Sequence, residues 1–496
     1  MNNDNSNSGR LFLYISAASN SVTGSNLVCT AVYPNGKHLM FAIDCGLFQG
    51  RNEDLTLNSG FPYKPENLEF VLLTHVHADH IGKLSELVGC GFTGQIFSSR
   101  GTALLLPNAL RNSSNIILNG YKERKKRRIL RKATHSHDED ITTWTPHFSV
   151  QDIEKVISLV QDGARDYGKT YRYNEYLSYT FYANQHLFGA SSVLVTLSYP
   201  GCDDLSVFFT GDYNCHNLFF EVPDLPDELL NTSLTVVCEA TYGDTDSSEV
   251  EKRFLSYLTE AIAAKKTIEY NVFAIGRSQD ILFNLRQCQD AGILPLSIPI
   301  YLDGGLTVSN TFKIKENPEL FGEKVTDFLP RNLTIVDRQF RPSIIANRDQ
   351  KIIVTSSGMG GYGPSHQYLQ HFLPQSDKLI VFTGFCVPGT LGADLMSVKK
   401  GDTFKLWGND IVIQADVRYL EEFSAHAKRD ELIAYLQRFK NLKSVIINHG
   451  EPETKEKFQF AVEKEVHPPK GTYILNRDRT IRITKFGADK SFGSKW

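Results

Sequence analysis

The run Thr74-His75-Val76-His77-Ala78-Asp79-His80 constrains this chain more than any other part of its sequence. Four side chains that can bind metal ions fall within six residues, directly after the apolar stretch Phe70-Val71-Leu72-Leu73. That stretch is typical of a buried strand, so the four side chains are expected on the turn that leaves it. Two histidines two positions apart, followed by an adjacent Asp-His pair, do not suit a single tetrahedral ion. The run therefore predicts two neighbouring metal ions, an arrangement that serves hydrolysis.

Length and composition set the frame for this site. A chain of 496 residues is long enough for two or three domains, and 41% apolar with 22% charged residues is ordinary for a soluble globular protein. No apolar run reaches transmembrane length. Segment 1–10 is rich in Asn and Ser, so we expect it to be disordered, and it lacks the basic and apolar regions of a secretory signal. The eight cysteines form no CxxC pair, which indicates reduced thiols and a cytoplasmic protein. The net charge of −3 argues weakly against nucleic-acid binding but says little about a local groove.

The hydrophobic pattern changes twice along the chain. Residues 11–245 are strand-rich, with a helical, basic insertion expected at about 109–180. Ser248-Glu249-Val250-Glu251 has the spacing of a helix capping box, and strands then alternate with helices up to about residue 400. Such alternation predicts a parallel α/β sheet over 246–400. Since 401–496 are again strand-rich, the simplest architecture is one metal domain interrupted by an inserted α/β domain.

A basic run lies within the expected insertion. Lys122–Lys132 holds eight basic residues in eleven, opposed only by Glu123. One interpretation is contact with a phosphate backbone. The other, which we favour because acidic residues follow at 138–140, is a solvent-exposed helix.

Further candidate ligands follow other apolar stretches. His186, Asp212 and His449 each come at the end of a strand-like run, and Asp44 follows Leu39–Ile43. In this order, and together with the opening run, these residues resemble the metallo-β-lactamase superfamily. The resemblance implies one zinc ion held by three residues and a second held by three others, with Asp212 bridging. The first set is His75, His77 and His186, and the second is Asp79, His80 and His449.

The role of Asp44 has two interpretations. We favour a carboxylate that orients a metal ligand or the attacking water. The alternative is an aspartate that caps the turn before Gly46.

Other motifs narrow the resemblance to the β-CASP branch of that superfamily. Glu239-Ala240-Thr241-Tyr242-Gly243, Phe423-Ser424-Ala425-His426 and His449-Gly450-Glu451 are similar to its three motifs. The turn Phe273–Gln279 and two glycine-containing loops also fit. The implied fold is an αββα sandwich with an inserted Rossmann-like α/β domain, and the family acts on nucleic acids.

The resemblance also implies roles for the carboxylates and for one further histidine. His426 would donate a proton to the leaving oxygen, since histidine exchanges protons near neutral pH, and Glu239 would fix its ring. The structural alternatives are a histidine at a helix N-terminus and a carboxylate satisfied by backbone amides. The candidate catalytic residues are His426, Glu239, Asp212, Asp79 and Asp44.

Candidate RNA contacts lie in the inserted domain. Arg277 at a helix start could contact a phosphate, aided by backbone N–H groups. Ser356, Ser357, Gly358 and Thr390 belong to loops whose glycines would let a sugar-phosphate chain approach across a cleft, preferably as a single strand. These glycines could equally be ordinary turn residues.

The motifs favour RNA and internal cleavage. In the family, histidine at the third motif accompanies RNA cleavage and valine accompanies DNA repair, so His449 favours RNA. The sequence around His426 is closer to the mRNA 3′-end-processing endonucleases and their prokaryotic relatives than to the 5′-exonucleases. Lys428 departs from the family, where Asp is frequent.

From His449 and the sequence around His426 we predict a zinc-dependent endoribonuclease acting through a hydroxide shared by the two ions.

Several alternatives stay open. They are a 5′–3′ exoribonuclease, a phosphodiesterase for DNA or small nucleotides, and a non-catalytic scaffold in a processing complex. The histidine-rich ligand set favours zinc over manganese. Nothing indicates a membrane partner, and whether the chain acts alone, as a homodimer or with other proteins is left open.

Overall fold

The computed structural model describes residues 10–50, 55–134 and 145–493, and these form two compact units. Unit 1 comprises residues 1–217, 221–247 and 426–496, and unit 2 comprises 218–220 and 248–425, within the described ranges. The predicted disordered N-terminus, apart from Arg10, lies outside the described residues. Within them, no helix has both the length and the apolar character needed to cross a membrane. All eight cysteines are free thiols.

The strands follow the chain in three blocks. Unit 1 begins with β1 (Phe12–Ala17), β2 (Leu27–Val32), β3 (His38–Ile43), β4 (Phe70–Leu73), β5 (Gln95–Ser99), β6 (Ala164–Arg165), β7 (Thr170–Arg172), β8 (Leu177–Ala183), β9 (Ser191–Leu197), β10 (Leu205–Phe209) and β11 (Leu234–Cys238). Unit 2 contains β12 (Thr267–Asn271), β13 (Ile300–Asp303), β14 (Leu333–Ile335), β15 (Ile352–Thr355), β16 (Lys378–Phe382), β17 (Thr403–Leu406), β18 (Asn409–Val412) and β19 (Asp416–Tyr419). Unit 1 resumes with β20 (Leu442–Ile447), β21 (Thr472–Ile474), β22 (Arg479–Thr484) and β23 (Gly487–Gly493).

The α-helices divide in the same way. Unit 1 has α1 (Ala78–Ile81), α2 (Leu84–Gly89), α3 (Arg100–Thr134), α4 (Val150–Asp162) and α5 (Asp227–Leu230). Unit 2 has α6 (Phe254–Ala263), α7 (Arg277–Asp290), α8 (Gly305–Lys315), α9 (Pro318–Phe321), α10 (Arg341–Ala346), α11 (Gly363–Phe372) and α12 (Leu391–Ser397). Unit 1 ends with α13 (Arg429–Gln437) and α14 (Pro452–Glu465).

Unit 1 is a sandwich of two sheets. Their strand orders are β23-β22-β1-β2-β3-β4-β5-β6 and β21-β20-β11-β10-β9-β8-β7. One apolar core joins them, with Ile15 and Phe41 from the first sheet packed together with Phe181 and Val207 from the second. Helices α13 and α14 cover the other face of the second sheet through residues such as Leu436. On the first sheet, α4 packs against α2 and β5. The predicted αββα sandwich is therefore confirmed.

The expected helical insertion at about 109–180 is only partly helical. Helix α3 continues to Thr134 and α4 spans Val150–Asp162, but the segment after α4 forms β6, β7 and the start of β8, which extend the two sheets. Alternating tyrosines explain the difference, since Tyr171 and Tyr179 pair across β7 and β8 and pack on the sandwich core. Most side chains of the basic run, those of Glu123, Arg124 and 126–132, lie outside the described part of the chain.

Unit 2 is built on a six-stranded sheet. Its order is β14-β13-β15-β12-β16-β19, and every neighbouring pair is parallel. The predicted parallel α/β domain is therefore confirmed. The chain leaves unit 2 only after Ala425, later than the predicted boundary at residue 400, because β19 completes this sheet and the β17–β18 hairpin packs on its core.

The predicted capping box at 248–251 does not start a helix. A 3₁₀ turn occupies Ser247–Glu249, and α6 begins at Phe254. The Glu422 carboxylate, from the far end of unit 2, accepts hydrogen bonds from the N–H groups of Arg253 and Phe254. A carboxylate at this position satisfies otherwise unpaired N–H groups, so a distant residue sets the start of this helix.

Glu269 lies in the middle of unit 2's sheet and is fully buried. Burial, only partly offset by the Asn271 amide, raises its pKa well above the ordinary value. When the pKa of a carboxyl is higher in the folded than in the unfolded protein, the free energy of unfolding falls as the pH rises from the unfolded-state pKa towards the folded-state pKa. We expect Glu269→Gln to raise the unfolding temperature relative to wild type, by a margin that grows between pH 5 and pH 8, in thermal unfolding followed by circular dichroism.

A matched control separates this effect from general charge removal. Glu319→Gln changes an exposed carboxylate of the same unit and should leave the margin near zero at every pH. A Glu269→Gln margin that is constant or shrinks with rising pH would contradict the assignment.

Candidate metal centre

The candidate ligands gather where strands of unit 1 end. Asp44 follows β3, and the His75–His80 segment follows β4, which is parallel to β3. In the second sheet, Asp212 follows β10 and His449 follows β20, and both strands are parallel to β11. His186 follows β8, which runs in the direction of β10 because each is antiparallel to β9. Strands of equal direction end at one edge of a sheet, so the fold brings these side chains together.

Three histidines form the first group. The Nδ1 atom of His77 lies 3.1 Å from Nε2 of His75 and 3.3 Å from Nε2 of His186. Asp212 Oδ2 is 3.7 Å from Nε2 of His75 and 3.8 Å from Nε2 of His186. These four side chains therefore point their donor atoms at one small volume.

The second group is Asp79, His80 and His449. Oδ2 of Asp79 lies 3.9 Å from Nε2 of each of the two histidines. Asp212 also reaches this group, with Oδ2 3.2 Å from Nε2 of His80 and Oδ1 3.3 Å from Nδ1 of His449. Asp212 thus lies between the two groups.

Asp44 is buried and supports this arrangement from behind. Its carboxylate accepts hydrogen bonds from the Thr74 N–H (2.8 Å), the Thr74 hydroxyl (2.7 Å) and Nδ1–H of His80 (2.7 Å). A proton on Nδ1 leaves the lone pair of His80 on Nε2, the atom that faces Asp79 and Asp212. Asp44 adopts a left-handed backbone (φ 61°), and Asn26 Nδ2 donates to its carbonyl oxygen at 2.6 Å.

These residues fit bound metal ions. The buried Nε2 atoms of His80 and His449 make no hydrogen bond of normal geometry with any described residue. Burial also lowers the pKa of His75 and lowers the pKa of His77 to about 4, which favours the neutral imidazole that binds metals. Imidazole nitrogens combined with carboxylate oxygens are the ligands of catalytic zinc.

The charge on Asp212 also suits a ligand. Its burial favours the neutral carboxyl, but the neighbouring His449 and His80 outweigh that effect and hold its pKa well below the ordinary value. The Asp212 carboxylate in turn raises the pKa of both histidines, so this group favours a positive charge beside the carboxylate, whether a proton or a metal ion carries it. The carboxylate is therefore ionised at neutral pH.

His426 lies beside the two groups, oriented by Glu239. Its Nδ1–H donates to Oε1 and Oε2 of Glu239 at 2.9 and 3.0 Å, and its Nε2 is 3.9 Å from Oδ2 of Asp212. Glu239 is itself fixed by the N–H groups of Tyr213 (2.6 Å) and Thr241 (3.2 Å). The Nε2 end of the imidazole thus faces the candidate metal centre.

Lys428, which stands where the resemblance led us to expect Asp, is buried two residues after His426. Its Nζ lies 3.3 Å from the ring centre of Tyr242, and its backbone N–H donates to Glu431 at 2.8 Å. The ring of Tyr242 is 6.3 Å from that of His426. A cation–π contact therefore lies where the resemblance led us to expect a carboxylate.

Sequence reasoning missed the neutral residues that hold these groups. Thr74 bridges Asp44 to the metal-binding run, Asn184 accepts from the His186 N–H (3.1 Å), and Thr241 Oγ1 lies 3.1 Å from Nδ1 of His449. Asn184 Nδ2 also donates to the Asp212 carbonyl oxygen at 2.9 Å. The signal that could have found them is a hydroxyl or amide within two residues of a predicted ligand or acid.

The five predicted RNA-contact residues lie in unit 2. Arg277 begins α7, is 9% exposed and donates from Nη1 to Asp280 at 3.0 Å. A side chain at Gly358 would meet the Phe273 ring and backbone at 2.9 Å, so internal packing already requires glycine there. Thr390 caps α12, and the N–H of Gly392 donates to the carbonyl oxygen of Met359, which joins the two glycine loops.

Two family models match the chain. The Beta-Casp domain model matches residues 278–395, within unit 2. The model described as Zn-dependent metallo-hydrolase RNA specificity domain matches residues 410–474.

Three similar proteins extend the comparison over most of the chain. Ribonuclease TTHA0252 of Thermus thermophilus is 27% identical over 450 residues, covering 88% of this chain and 92% of that protein. Integrator complex subunit 11 of Gallus gallus is 26% identical over 88% of this chain and 69% of its own length. Transcription termination factor FttA of Methanocaldococcus jannaschii is 26% identical over 89% and 67%.

A histidine- and aspartate-rich centre at the edge of a two-sheet sandwich, with a parallel α/β unit inserted, defines a metal-dependent hydrolase. Each family model matches a part of this architecture, one within the inserted unit and one across the return of the chain to the sandwich. The two family models and the three relatives support a place in the β-CASP branch of the metallo-β-lactamase superfamily.

The hydrogen bonds to Asp44 predict a role in metal affinity. Asparagine tolerates the left-handed backbone and keeps the shape of the side chain, but it cannot provide the ionised acceptor for Nδ1–H of His80. We expect Asp44→Asn to bind Zn²⁺ about 10–100-fold more weakly, measured by competition with a chromogenic chelator.

The matched control is Asp224→Asn, which alters a carboxylate that is 91% exposed in the same unit. It should leave zinc affinity unchanged. Equal zinc affinity of Asp44→Asn and wild type would remove Asp44 from the support of the centre.

Proposed function

We propose that this protein is a zinc-dependent endoribonuclease that cleaves single-stranded RNA. The observation that carries the proposal is the position of His426, oriented by Glu239 and directed at a cluster of buried metal-binding side chains. Hydrolysis of a phosphodiester needs a nucleophile, stabilisation of charge on the phosphate and a proton for the leaving alkoxide. The cluster and His426 together can meet all three needs.

Three observations support RNA as the substrate. One matching family model is described as an RNA specificity domain, and the relative with 92% of its length covered is named a ribonuclease. His449, the residue expected in RNA-cleaving members, lies in the candidate metal centre with its Nε2 3.9 Å from Asp79.

We propose that two zinc ions bind, one at each group of ligands. His75, His77 and His186 would hold the first, Asp79, His80 and His449 the second, and Asp212 would bridge them. When bound, such a pair supplies a nucleophile at neutral pH and neutralises charge on the phosphate.

The remaining steps belong to the chain's own side chains. Asp44 keeps His80 in the tautomer that presents Nε2. Glu239 accepts the Nδ1–H of His426 and so directs Nε2–H towards the site, where it gives its proton to the leaving alkoxide oxygen. Glu239 positions His426 without touching the substrate.

In unit 2 we propose that Arg277, Ser356, Ser357, Gly358 and Thr390 contribute to RNA binding. The support is their joint position at loops that follow the carboxyl ends of β12, β15 and β16, where α/β sheets bind ligands. Because the Arg277 guanidinium is paired with Asp280, its backbone N–H at the start of α7 is the stronger candidate for a phosphate contact. The free thiols support a cytoplasmic location.

Two substitutions separate proton donation from metal binding. We expect His426→Ala to lower kcat for RNA cleavage about 10²–10⁴-fold while zinc content stays at the wild-type level. We expect His77→Ala to abolish cleavage and to lower zinc content, because it removes a ligand. Cleavage of labelled RNA and zinc content by atomic emission measure the two effects.

His38→Ala, on an exposed histidine of β3, serves as the control and should change neither quantity. RNA cleavage at the wild-type rate in both His426→Ala and His77→Ala would refute the assigned site.

Circular RNA tests the mode of cleavage, because it has no end for an exonuclease to enter. We expect the zinc-loaded protein to linearise a circular single-stranded RNA at a rate similar to that for the linear form, seen on denaturing gels. Activity on linear RNA that releases mononucleotides, with the circle left intact, would favour the 5′-exonuclease instead.

A further inference from the structure

The tip of the β17–β18 hairpin in unit 2 carries an unusual residue. Leu406 pairs with Asn409, so Trp407 and Gly408 form a two-residue turn, and both have positive φ (49° and 89°). Such a type I′ turn favours asparagine at its first position, where β-branched and bulky residues are strained. Trp407 is also 41% exposed. The chain therefore bears two costs at one residue, backbone strain and an exposed indole.

The hairpin packs on the core of unit 2 on both sides of this turn. Leu406 and Ile413 are buried there, together with Tyr368 and Phe372 of α11. Leu406 is only 2% exposed, whereas the next residue, Trp407, lies at the surface. The strain is thus maintained by packing on either side of the turn.

Two further aromatic residues, His366 and Tyr362, belong to α11 and to its N-cap. The ring of His366 lies 3.5 Å from the indole, centre to centre, at an angle of 33°. Tyr362, at the N-cap of the same helix and four residues earlier, is 66% exposed. Three aromatic side chains, Tyr362, His366 and Trp407, therefore come from the start of α11 and from the hairpin tip that contacts it. We call these three residues the aromatic platform.

The platform is continuous with the proposed RNA-contact loop. The Tyr362 N–H donates to Ser357 Oγ at 3.3 Å, and the Ser357 N–H donates to the Tyr362 carbonyl oxygen at 3.3 Å. Proteins that bind single-stranded nucleic acid combine polar contacts to the backbone with aromatic side chains on which bases stack. Here the two kinds of surface are hydrogen-bonded to each other.

We infer that the aromatic platform stacks unpaired nucleobases of the RNA, with Trp407 as its main contact. This inference rests on the proposed function, since it assigns a base-binding subsite to the same substrate. Aromatic stacking accepts any base, so the platform would add affinity without selecting a sequence. The inference accounts for a strained, exposed tryptophan at a turn where asparagine would be more stable.

Trp407→Asn tests the inference with two opposite effects. Asparagine suits the left-handed turn, so the variant should unfold at a higher temperature than wild type while binding RNA about tenfold more weakly. Affinity is measured by fluorescence anisotropy of a labelled single-stranded RNA oligonucleotide, in the His426→Ala background so that the RNA stays intact. Because stability rises as affinity falls, misfolding cannot explain the loss.

Two comparisons make the effect specific to bases. An abasic oligonucleotide of the same length should bind wild type and Trp407→Asn equally, and Trp407→Phe should retain most of the affinity for normal RNA. Phe460→Ala, on a residue of α14 that is 69% exposed, is the control for loss of an exposed aromatic and should leave binding unchanged.

The outcomes separate this inference from the proposed function. Unchanged RNA affinity of Trp407→Asn, or an equal loss for the abasic oligonucleotide, would overturn the platform while leaving RNA cleavage standing. A wild-type protein that neither binds nor cleaves RNA would overturn both, and the platform would then fit a protein partner.

Discussion

The buried carboxylate of Asp44 is the group on which the candidate metal centre depends. An ionised carboxylate removed from water is costly unless donors surround it, and Asp44 receives three, two of them from Thr74 and one from His80. The two bonds from Thr74 tie the end of β3 to the end of β4. The bond from His80 selects the tautomer of that histidine, so one carboxylate joins two strands and directs a candidate ligand atom.

A second set of contacts fixes His426 within unit 1. The chain leaves this unit after Ser247 and returns at His426, so the proposed proton donor is the first residue to return. The two segments bind each other: the N–H of Arg429 donates to the Thr245 carbonyl oxygen at 2.8 Å, and Ser247 donates to Asp430 at 2.8 Å. These hydrogen bonds join the two chain segments that flank the inserted unit. They fix the start of the returning segment, and with it His426, within unit 1.

Pattern alone predicted the elements whose residues interact mainly with their own neighbours. The apolar runs at β4, β12 and β16 were sufficient to predict buried strands. The position of the metal-binding run followed from the strand directly before it. Local pattern failed where a distant group decides the outcome. Glu422 caps α6, which begins three residues after the end of the predicted capping box. The β17–β18 hairpin packs on unit 2, so that unit ends only at Ala425. Residues such as Asn184 and Thr241 are equally invisible, because their importance lies in which side chain the fold places beside them.

Left-handed backbone at residues other than glycine occurs at different kinds of position in this fold. Among the described residues, five have positive φ: Asp44, Lys265, Trp407, His449 and His467. Lys265 and His467 each come two residues after a helix ends, where a left-handed residue commonly closes the last turn. Asp44 and His449 have no such explanation, and both belong to the candidate metal centre. Each strained residue costs about 1–3 kcal/mol and persists only where surrounding bonds impose it. Trp407 follows no helix end and lies outside the candidate metal centre, so the proposed stacking of bases would account for the strain at the tip of the hairpin.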